Sequence, residues 1–461
     1  MAPSSQLEFN VVRKQPELLP PAEPTPFEWK ELYDIDDQDG LRLHISGFFI
    51  YPPSTMSNVG RDNVARDIRR GLSKAMVFYY PLAGRIREGP NRKLSVECTG
   101  EGIMYCEADA DVRLEQFGDI GALSMPFPFM DKVMFETADD GILGTPLMYF
   151  QSTRFICGGI VVAGCYNHAI ADALGFYMFM AAAAQLARGA ASPTPLPVWQ
   201  RERLLSRVPP RVTFIHHEYI HDTPKTETAN PLDNEPWPLH SIFFTRVDVA
   251  ALRAQLPGHL RKSATSFEII SACLWRCRTA ALRFAPDELS RLIIAVNART
   301  KFGPPLPQGY YGNSIMLPMV VSEAGKLVLS GLGYAVELVI EAKGRVTEEY
   351  VKSVADYLVL NGRPHYVVTN TYLVSDLRRL LEMSKFDWGW GKPAYVGPAD
   401  VGENAISFLA TLKNGEEEGV VVPIRLPESA VGRFKSEVSK MVSFGCLEDV
   451  KTNRDGYLSR M

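Results

Sequence analysis

Apolar positions in the first part of the chain follow strand patterns and helix patterns in alternation. Residues 43–51 are rich in aromatic and β-branched side chains and predict a strand, whereas apolar residues recur at helical spacing through 63–78. Residues 147–155 and 160–167 predict a β-hairpin, and the apolar run 173–187 predicts a buried helix. This alternation is typical of an α/β fold.

The pattern changes after residue 188. Residues 189–238 are rich in proline and show little periodicity, which predicts a crossover between domains. Alternating strand and helix patterns resume beyond this segment. We therefore predict an N-terminal domain of residues 1–188, a crossover linker of residues 189–238 and a C-terminal domain of residues 239–461.

The composition is typical of a soluble globular protein. Of the 461 residues 46% are hydrophobic and 22% are charged, and the net charge of -4 gives no reason to expect nucleic acid as a partner. Residues 1–21 are polar and lack the apolar segment of a secretory signal. The longest uncharged helical run, 173–187, is shorter than the roughly 18 apolar residues of a membrane span, so we expect none.

The seven cysteines are scattered along the chain. Cys273 and Cys277 are one helical turn apart, but no second pair and no nearby histidine completes a zinc site. We therefore expect reduced thiols in a cell interior and no metal ion.

The last three residues, Ser459-Arg460-Met461, resemble a peroxisomal address of the Ser-Lys-Leu type. An arbitrary polar tail explains them equally well. The expected location is the peroxisome if the address functions, and the cytoplasm otherwise.

Two ionisable residues stand out in the apolar stretch 155–187. His168 and Asp172 are its only charged or readily chargeable side chains apart from cysteine and tyrosine, and they fall between a buried strand and an apolar helix. Burying such groups is costly unless they are satisfied. They are therefore either a satisfied pair in the core or a base held at a strand-to-helix turn, and the residues alone leave both open.

Two further patterns suggest other chemistry. His217 to His221 form a literal HExxH, the zinc-protease pattern, but prolines flank the segment, it looks irregular and no third ligand follows at a familiar spacing. Cys165, near His168, could serve as a nucleophile, although a small buried strand residue is the simpler interpretation.

Five segments together resemble the BAHD acyltransferases of plants. They are Tyr-Pro-Leu-Ala-Gly-Arg at 80–85, HxxxD at 168–172, Asn-Ala-Arg at 297–299, Gly-Tyr-Tyr-Gly-Asn at 309–313 and Asp-Trp-Gly-Trp-Gly at 387–391, in the family's order. The resemblance spans nearly the whole chain. It implies a two-domain, chloramphenicol-acetyltransferase-like α/β fold with mixed sheets and flanking helices.

The resemblance also implies a mechanism. His168 takes the proton from an acceptor alcohol or amine, which attacks the thioester of an acyl-CoA, and Asp172 pairs with Arg299 as a structural partner. Acyl-CoA is the co-substrate, no cofactor is permanently bound, and the family suggests a monomer. A non-catalytic binding protein on the same scaffold is the remaining alternative.

Further residues are expected to support the site or to bind CoA. Asp387 and Trp390 belong to the motif that the family writes DFGWG, in which Trp388 here replaces phenylalanine. CoA phosphates need cationic contacts, and the stretch 246–301 has an excess of Lys and Arg. We expect Arg261, Lys262 and Ser266 to contact the phosphates.

A closer resemblance links the chain to the benzyl alcohol O-benzoyltransferase branch. Residues 149–154, 216–219, 362–366 and 371–376 carry it. It implies benzoyl-CoA as donor and benzyl alcohol as acceptor, giving benzyl benzoate and CoA. Acetyl-CoA or another acyl-CoA, with a different alcohol or amine, is the alternative.

Overall fold

The computed structural model describes residues 7–53, 61–118, 125–135, 141–220, 235–380, 382–399, 406–414 and 417–458. The C-terminal tripeptide 459–461 lies outside these residues, so the peroxisomal address stays a prediction. The expected monomeric state also stays a prediction.

Strands and helices alternate along both halves of the chain. The strands are β1 Val11–Arg13, β2 Glu17–Leu19, β3 Trp29–Glu31, β4 His44–Tyr51, β5 Arg85–Glu88, β6 Leu94–Glu97, β7 Ile103–Ala110, β8 Met148–Phe155, β9 Ile160–Asn167, β10 Leu239–Phe244, β11 Leu289–Ile294, β12 Val296–Asn297, β13 Ile315–Met316, β14 Met319–Glu323, β15 Thr371–Asp376, β16 Tyr395–Pro398, β17 Ile406–Asn414 and β18 Glu417–Arg425. The helices are α1 Arg61–Phe78, α2 Met130–Val133, α3 Ala173–Ala187, α4 Arg246–Ala254, α5 Gly258–Ser263, α6 Ser266–Leu282, α7 Ala324–Leu329, α8 Leu332–Arg345, α9 Glu348–Leu360 and α10 Glu428–Leu458.

The first large sheet has the order β1-β7-β8-β9-β4-β16, with β2 also pairing to β7. β8 and β9 form the predicted antiparallel hairpin, and β4 pairs along the full length of β9. β9 lies inside the sheet and is buried at every position. This explains why its sequence is almost entirely apolar and does not alternate with polar residues. Helices α1 and α3 pack together beside this sheet, and their apolar faces share its core.

The second large sheet has the order β10-β18-β17-β15-β11-β14 and mixes parallel with antiparallel pairs. Helix α6 packs against this sheet, and its own Trp275 is fully buried in the shared core. Thr265 caps α6 by accepting a hydrogen bond from the backbone N–H of Glu268, whose side chain bonds back to Thr265. The predicted α/β architecture with mixed sheets is therefore confirmed.

One segment of the C-terminal half joins the first sheet. β16 pairs antiparallel with β4, in the register Tyr395 to Ile50, and so forms the edge of the first sheet. Trp388 and Trp390, just before β16, lie in the hydrophobic core of that same sheet. The boundaries 1–188, 189–238 and 239–461 stay a prediction, and the chain crosses between the two sheets more than once.

Candidate active site

His168 lies at the end of β9, where the chain turns toward α3. Its backbone N–H donates to Leu43 O at 2.9 Å, just before β4, and its carbonyl oxygen accepts from Asn313 Nδ2 at 2.8 Å. The buried central sheet therefore fixes the backbone of His168. The imidazole itself is half-buried.

Asn313 sets the orientation and tautomer of the His168 ring. The amide nitrogen of Asn313 faces three acceptors, His168 O at 2.8 Å, Ala169 O at 3.3 Å and Asp36 Oδ1 at 3.0 Å. Its Oδ1 consequently faces His168 Nδ1, 3.1 Å away, and an amide oxygen can only accept a hydrogen bond. It follows that Nδ1 carries the proton and that Nε2 presents a lone pair.

Burial sets the protonation state of His168. The pKa of its imidazole is lowered from the ordinary histidine value, because removal from water disfavours the charged form. The hydrogen bond to Asn313 and the negative charges of Asp172 and Asp36 oppose this shift only in part. The ring is therefore neutral near physiological pH, as a general base must be before it takes a proton.

Asp172 holds the turn that carries His168. Its Oδ1 caps α3 by accepting from Gly175 N at 3.0 Å. Arg299 donates to both of its oxygens, from Nη1 to Oδ2 at 2.8 Å and from Nη2 to Oδ1 at 2.9 Å. The pair expected from the family is thus present, and it has the geometry of a structural clamp.

The loop that carries Asn313 packs tightly against this clamp. Arg299 also donates to Tyr310 O at 3.2 Å and to Gly312 O at 2.7 Å. A Cβ on Gly175 would lie 2.0 Å from Tyr311 O, so only glycine permits this approach of loop and helix. Arg299 thereby links Asp172, and through it the histidine turn, to the segment that orients the imidazole.

Sequence reasoning missed three residues of the site. Asn313 was noted only as part of a family motif, and Asp36 and Arg201 were not singled out. Arg201 Nη1 lies 2.6 Å from Asp36 Oδ1, and both side chains are fully buried (0% exposed). The only available signal was the position of Asn313 within the 309–313 motif.

Asp387 and Trp390 lie in a tight turn against the first sheet. Asp387 Oδ1 accepts from Gly389 N at 2.8 Å and from Gly391 N at 2.9 Å, and both glycines have positive φ angles. Trp390 donates to Asp67 Oδ2 on α1 at 3.2 Å and stacks on Trp388. Among the described residues, none of these contacts reaches His168, so this motif supports the fold around the site.

The three residues expected to contact CoA lie at the N-terminal end of α6 and in the helix before it. Arg261 and Lys262 are both exposed, but the Arg261 guanidinium already donates to Ala254 O at 2.8 Å and to Leu256 O at 3.1 Å. Ser266 Oγ accepts from Arg378 Nη1 at 3.0 Å, which brings a further cation to this end of α6. Their contact with CoA stays a prediction.

The described part of the HExxH segment, residues 217–220, contains a short 3₁₀ turn and no α-helix. His217 is exposed in a short 3₁₀ turn, whereas Glu218 is buried and accepts from Tyr350 OH at 2.8 Å. His221 lies outside the described residues. Within the described ranges, no group of three or more His, Cys, Asp or Glu side chains is arranged to hold a metal ion.

The cysteines near the site and on α6 are poor nucleophiles. Burial raises the pKa of the Cys165 thiol to about 11. Cys273 Sγ lies 4.0 Å from Cys277 Sγ, and this contact, with burial, raises the pKa of the Cys277 thiol. The thiols of Cys165 and Cys277 therefore stay protonated and do not compete with His168 for the chemistry.

Comparison with known proteins places this constellation in a family. The profile of the Transferase family matches residues 9–441. The chain belongs to the BAHD acyltransferases. It is therefore an enzyme that transfers an acyl group from acyl-CoA, which is its co-substrate.

Two curated relatives and one solved structure illustrate the BAHD similarity. The chain is 98% identical to a piperine synthase of Piper nigrum over 100% of both chains. It is 49% identical to a benzyl alcohol O-benzoyltransferase of Nicotiana tabacum over 95% of each. The crystal structure of vinorine synthase superposes with a TM-score of 0.72, covering 94% of this chain and 98% of the other at 20% identity, and shows the shared fold.

The length and polarity of the described helices decide whether any of them can span a membrane. Each of them is too short or too polar to cross a lipid bilayer.

Proposed function

We propose that this chain transfers an acyl group from a CoA thioester to the nitrogen of an amine, forming a piperamide such as piperine. The proposal is supported by the 98% identity to a piperine synthase over the whole chain. Piperine is the amide of piperic acid with piperidine. The proposed donor is therefore the CoA thioester of piperic acid, and the proposed acceptor is piperidine, a cyclic secondary amine.

His168 is the general base of this reaction. The nitrogen of unprotonated piperidine attacks the thioester carbonyl carbon, which forms the C–N bond and leaves an acidic N–H on the tetrahedral intermediate. Nε2 of His168 takes this proton, and the C–S bond then breaks to release the CoA thiolate. The imidazolium returns the proton to sulfur, so the products are the amide and CoA thiol, and the histidine is again neutral.

The geometry of His168 supports this role. Its Nδ1 is occupied by Asn313 at 3.1 Å, which leaves Nε2 as the free basic nitrogen. Its lowered pKa keeps the ring neutral before the acceptor arrives. One imidazole can both accept and return the proton, so no covalent intermediate on a protein nucleophile is needed.

The proposed CoA-binding surface lies at the start of α6. Lys262 is exposed, and in the described residues no hydrogen bond or ion pair engages its amine, so it is the most available cation for a phosphate. Arg261 beside it already directs Nη2 of its guanidinium to two backbone carbonyls, which restrains the position of this group.

A second candidate is transfer of a benzoyl group from benzoyl-CoA to benzyl alcohol, which gives benzyl benzoate. It is supported by the 49% identity to a benzyl alcohol O-benzoyltransferase. The chemistry at His168 is the same, because Nε2 takes the hydroxyl proton of the alcohol instead of the N–H proton.

A two-by-two assay separates the candidates. The purified chain is supplied with the CoA thioester of piperic acid or with benzoyl-CoA, and with piperidine or benzyl alcohol, and products are identified by mass spectrometry alongside thiol release. The proposal expects piperine from the first pair at the highest kcat/KM. Benzyl benzoate as the only efficient product would replace it with the second candidate.

A further inference from the structure

The fully buried carboxylate of Asp36 is connected to the imidazole of His168 through one intervening side chain, that of Asn313. Asp36 Oδ1 accepts from the backbone N–H of Asn313 at 3.0 Å and from the side-chain Nδ2 of Asn313 at 3.0 Å. Asp36 is 0% exposed. It makes no hydrogen bond to His168 in the described residues, so any effect on the imidazole passes through Asn313.

The carboxylate is the charged one of the three acceptors that together determine which end of the Asn313 amide faces the histidine. The two ends of an amide are nearly equal in size, and only hydrogen bonding distinguishes them. An ionised carboxylate can only accept, and a hydrogen bond to a charged group is stronger than one to a neutral carbonyl. Asp36 therefore holds Nδ2 of Asn313 on its own side and directs Oδ1 toward His168.

Arg201 holds this carboxylate in place. Its Nη1 lies 2.6 Å from Asp36 Oδ1, and its Nη2 donates to Ile170 O at 2.6 Å. The guanidinium also stacks on the Trp199 ring, 3.9 Å from its centroid. Because Ile170 belongs to the turn that begins at His168, the ion pair is tied to the same segment as the imidazole.

We propose that Asp36 is a positioning residue that acts through Asn313 to fix the Nδ1-protonated tautomer of His168. The proposal rests on the role of His168 as the base. Without the carboxylate only the carbonyl oxygens of His168 and Ala169 hold Nδ2 of Asn313 on this side. The amide then turns over in part of the molecules, and in those its Nδ2 donates to His168 Nδ1. The proton moves to Nε2, and the nitrogen that faces the acceptor can no longer accept a proton.

The test variant is Asp36→Asn, which keeps the size of the side chain and removes its charge. Its amide can donate to Asn313 Oδ1 and so allow the turned orientation. We expect kcat to fall about tenfold or more, since the wrong tautomer of a catalytic histidine is strongly deleterious. KM for the acyl-CoA should change little.

Asp37→Asn is the matched control. Asp37 is also 0% exposed, and it accepts from Leu94 N at 3.1 Å and pairs with Arg42 at 3.2 Å. Among the described residues it contacts neither Asn313 nor His168. This variant therefore shares the cost of weakening a buried ion pair, but it should leave kcat and the histidine tautomer unchanged.

The tautomer is read directly from ¹⁵N NMR of histidine-labelled protein, with the His168→Ala spectrum assigning the signal. The wild-type chain should show a protonated Nδ1 and an unprotonated Nε2, and Asp36→Asn should exchange them in part. If the wild-type tautomer is the reverse, the proposal is overturned even if no variant folds. It is equally overturned if Asp36→Asn matches Asp37→Asn in kcat and in tautomer.

Failure of the base assignment is distinguishable from failure of this inference. Full activity of His168→Ala would remove the proposed function whatever the tautomer. An inactive His168→Ala together with a fully active Asp36→Asn would leave the base in place and reject only the role of Asp36.

Discussion

The Arg299 guanidinium clamps the Asp172 carboxylate by two parallel hydrogen bonds, Nη1 to Oδ2 at 2.8 Å and Nη2 to Oδ1 at 2.9 Å. The side chains are only 9% and 2% exposed. This pair joins the turn after β9 to the segment after β12, which lie in different halves of the chain. The turn that carries His168 thus depends on a contact between the two halves of the chain.

Breaking this clamp should destabilise the protein strongly. Arg299→Ala leaves a buried carboxylate without its partner, which costs about 3–5 kcal/mol. The midpoint of urea unfolding should fall accordingly. The control is Arg246→Ala, which removes an exposed pair with Glu418 (81% and 53% exposed) and should cost less than about 1 kcal/mol. Equal losses in the two variants would contradict the clamp.

The pH dependence should reflect the lowered pKa of His168. A neutral imidazole is the active form, so kcat/KM for the acyl-CoA at saturating acceptor should fall on the acid side. Because burial lowers the pKa of His168, the pH at which kcat/KM falls to half should lie below about 6.5, the ordinary histidine pKa. An alcohol acceptor, which does not ionise in this range, controls for protonation of the amine. A midpoint above 6.5 would show that burial does not dominate.

Gly175→Ala should disturb the packing of the site while leaving the side chains of His168 and Asn313 unaltered. The added methyl would meet Tyr311 O at 2.0 Å, so the loop that carries Asn313 must move. Overpacking of this kind costs about 1–3 kcal/mol, and kcat should fall with it. Gly432→Ala on α10 is the control, since no atom lies within 4 Å of its Cβ and the change should stabilise the helix by up to about 1 kcal/mol. Thermal unfolding and kcat of both variants decide the point.

Trp388 and Tyr51 should be energetically coupled. The indole Nε1 of Trp388 donates to Tyr51 OH at 2.9 Å, and this hydroxyl donates to Phe386 O at 2.8 Å. Tyr51→Phe leaves the buried indole N–H of Trp388 without an acceptor, which should lower the free energy of unfolding by about 1–3 kcal/mol. In the background of Trp388→Phe the same change should cost less by about 0.5–3 kcal/mol. Strict additivity in the double-mutant cycle would refute the coupling, and kcat should be unaffected throughout.

The sequence alone drew attention to the proposed base because His168 contrasts with its apolar neighbours. His168 and Asp172 are charged residues in an apolar stretch between a buried strand and a buried helix, and that contrast is visible without a structure. The partner of Asp172 was available only through the family resemblance. Neither spacing nor pattern could identify Arg299 among the many basic residues of its segment.

Sequence alone could not single out Asp36 and Arg201, because their neighbours along the chain are charged and give no sign that these two residues are buried. Asp36 lies in an acidic run with Asp34, Asp37 and Asp39, and Arg201 lies beside two further charged residues, so both stretches read as solvated surface. Their burial arises from packing between distant segments. The pairing of β16 with β4 has the same origin, because a four-residue strand carries no signal for a partner more than three hundred residues earlier.

The most direct test of His168 as the base compares two histidine variants with the best donor and acceptor pair. His168→Ala should lower kcat by about 10²–10⁴-fold while the protein remains folded. His217→Ala, which truncates an exposed histidine, should retain full activity, with or without a chelator. A His168→Ala variant that turns over at the wild-type rate would contradict the account, because the proton of the acceptor would then be removed without His168.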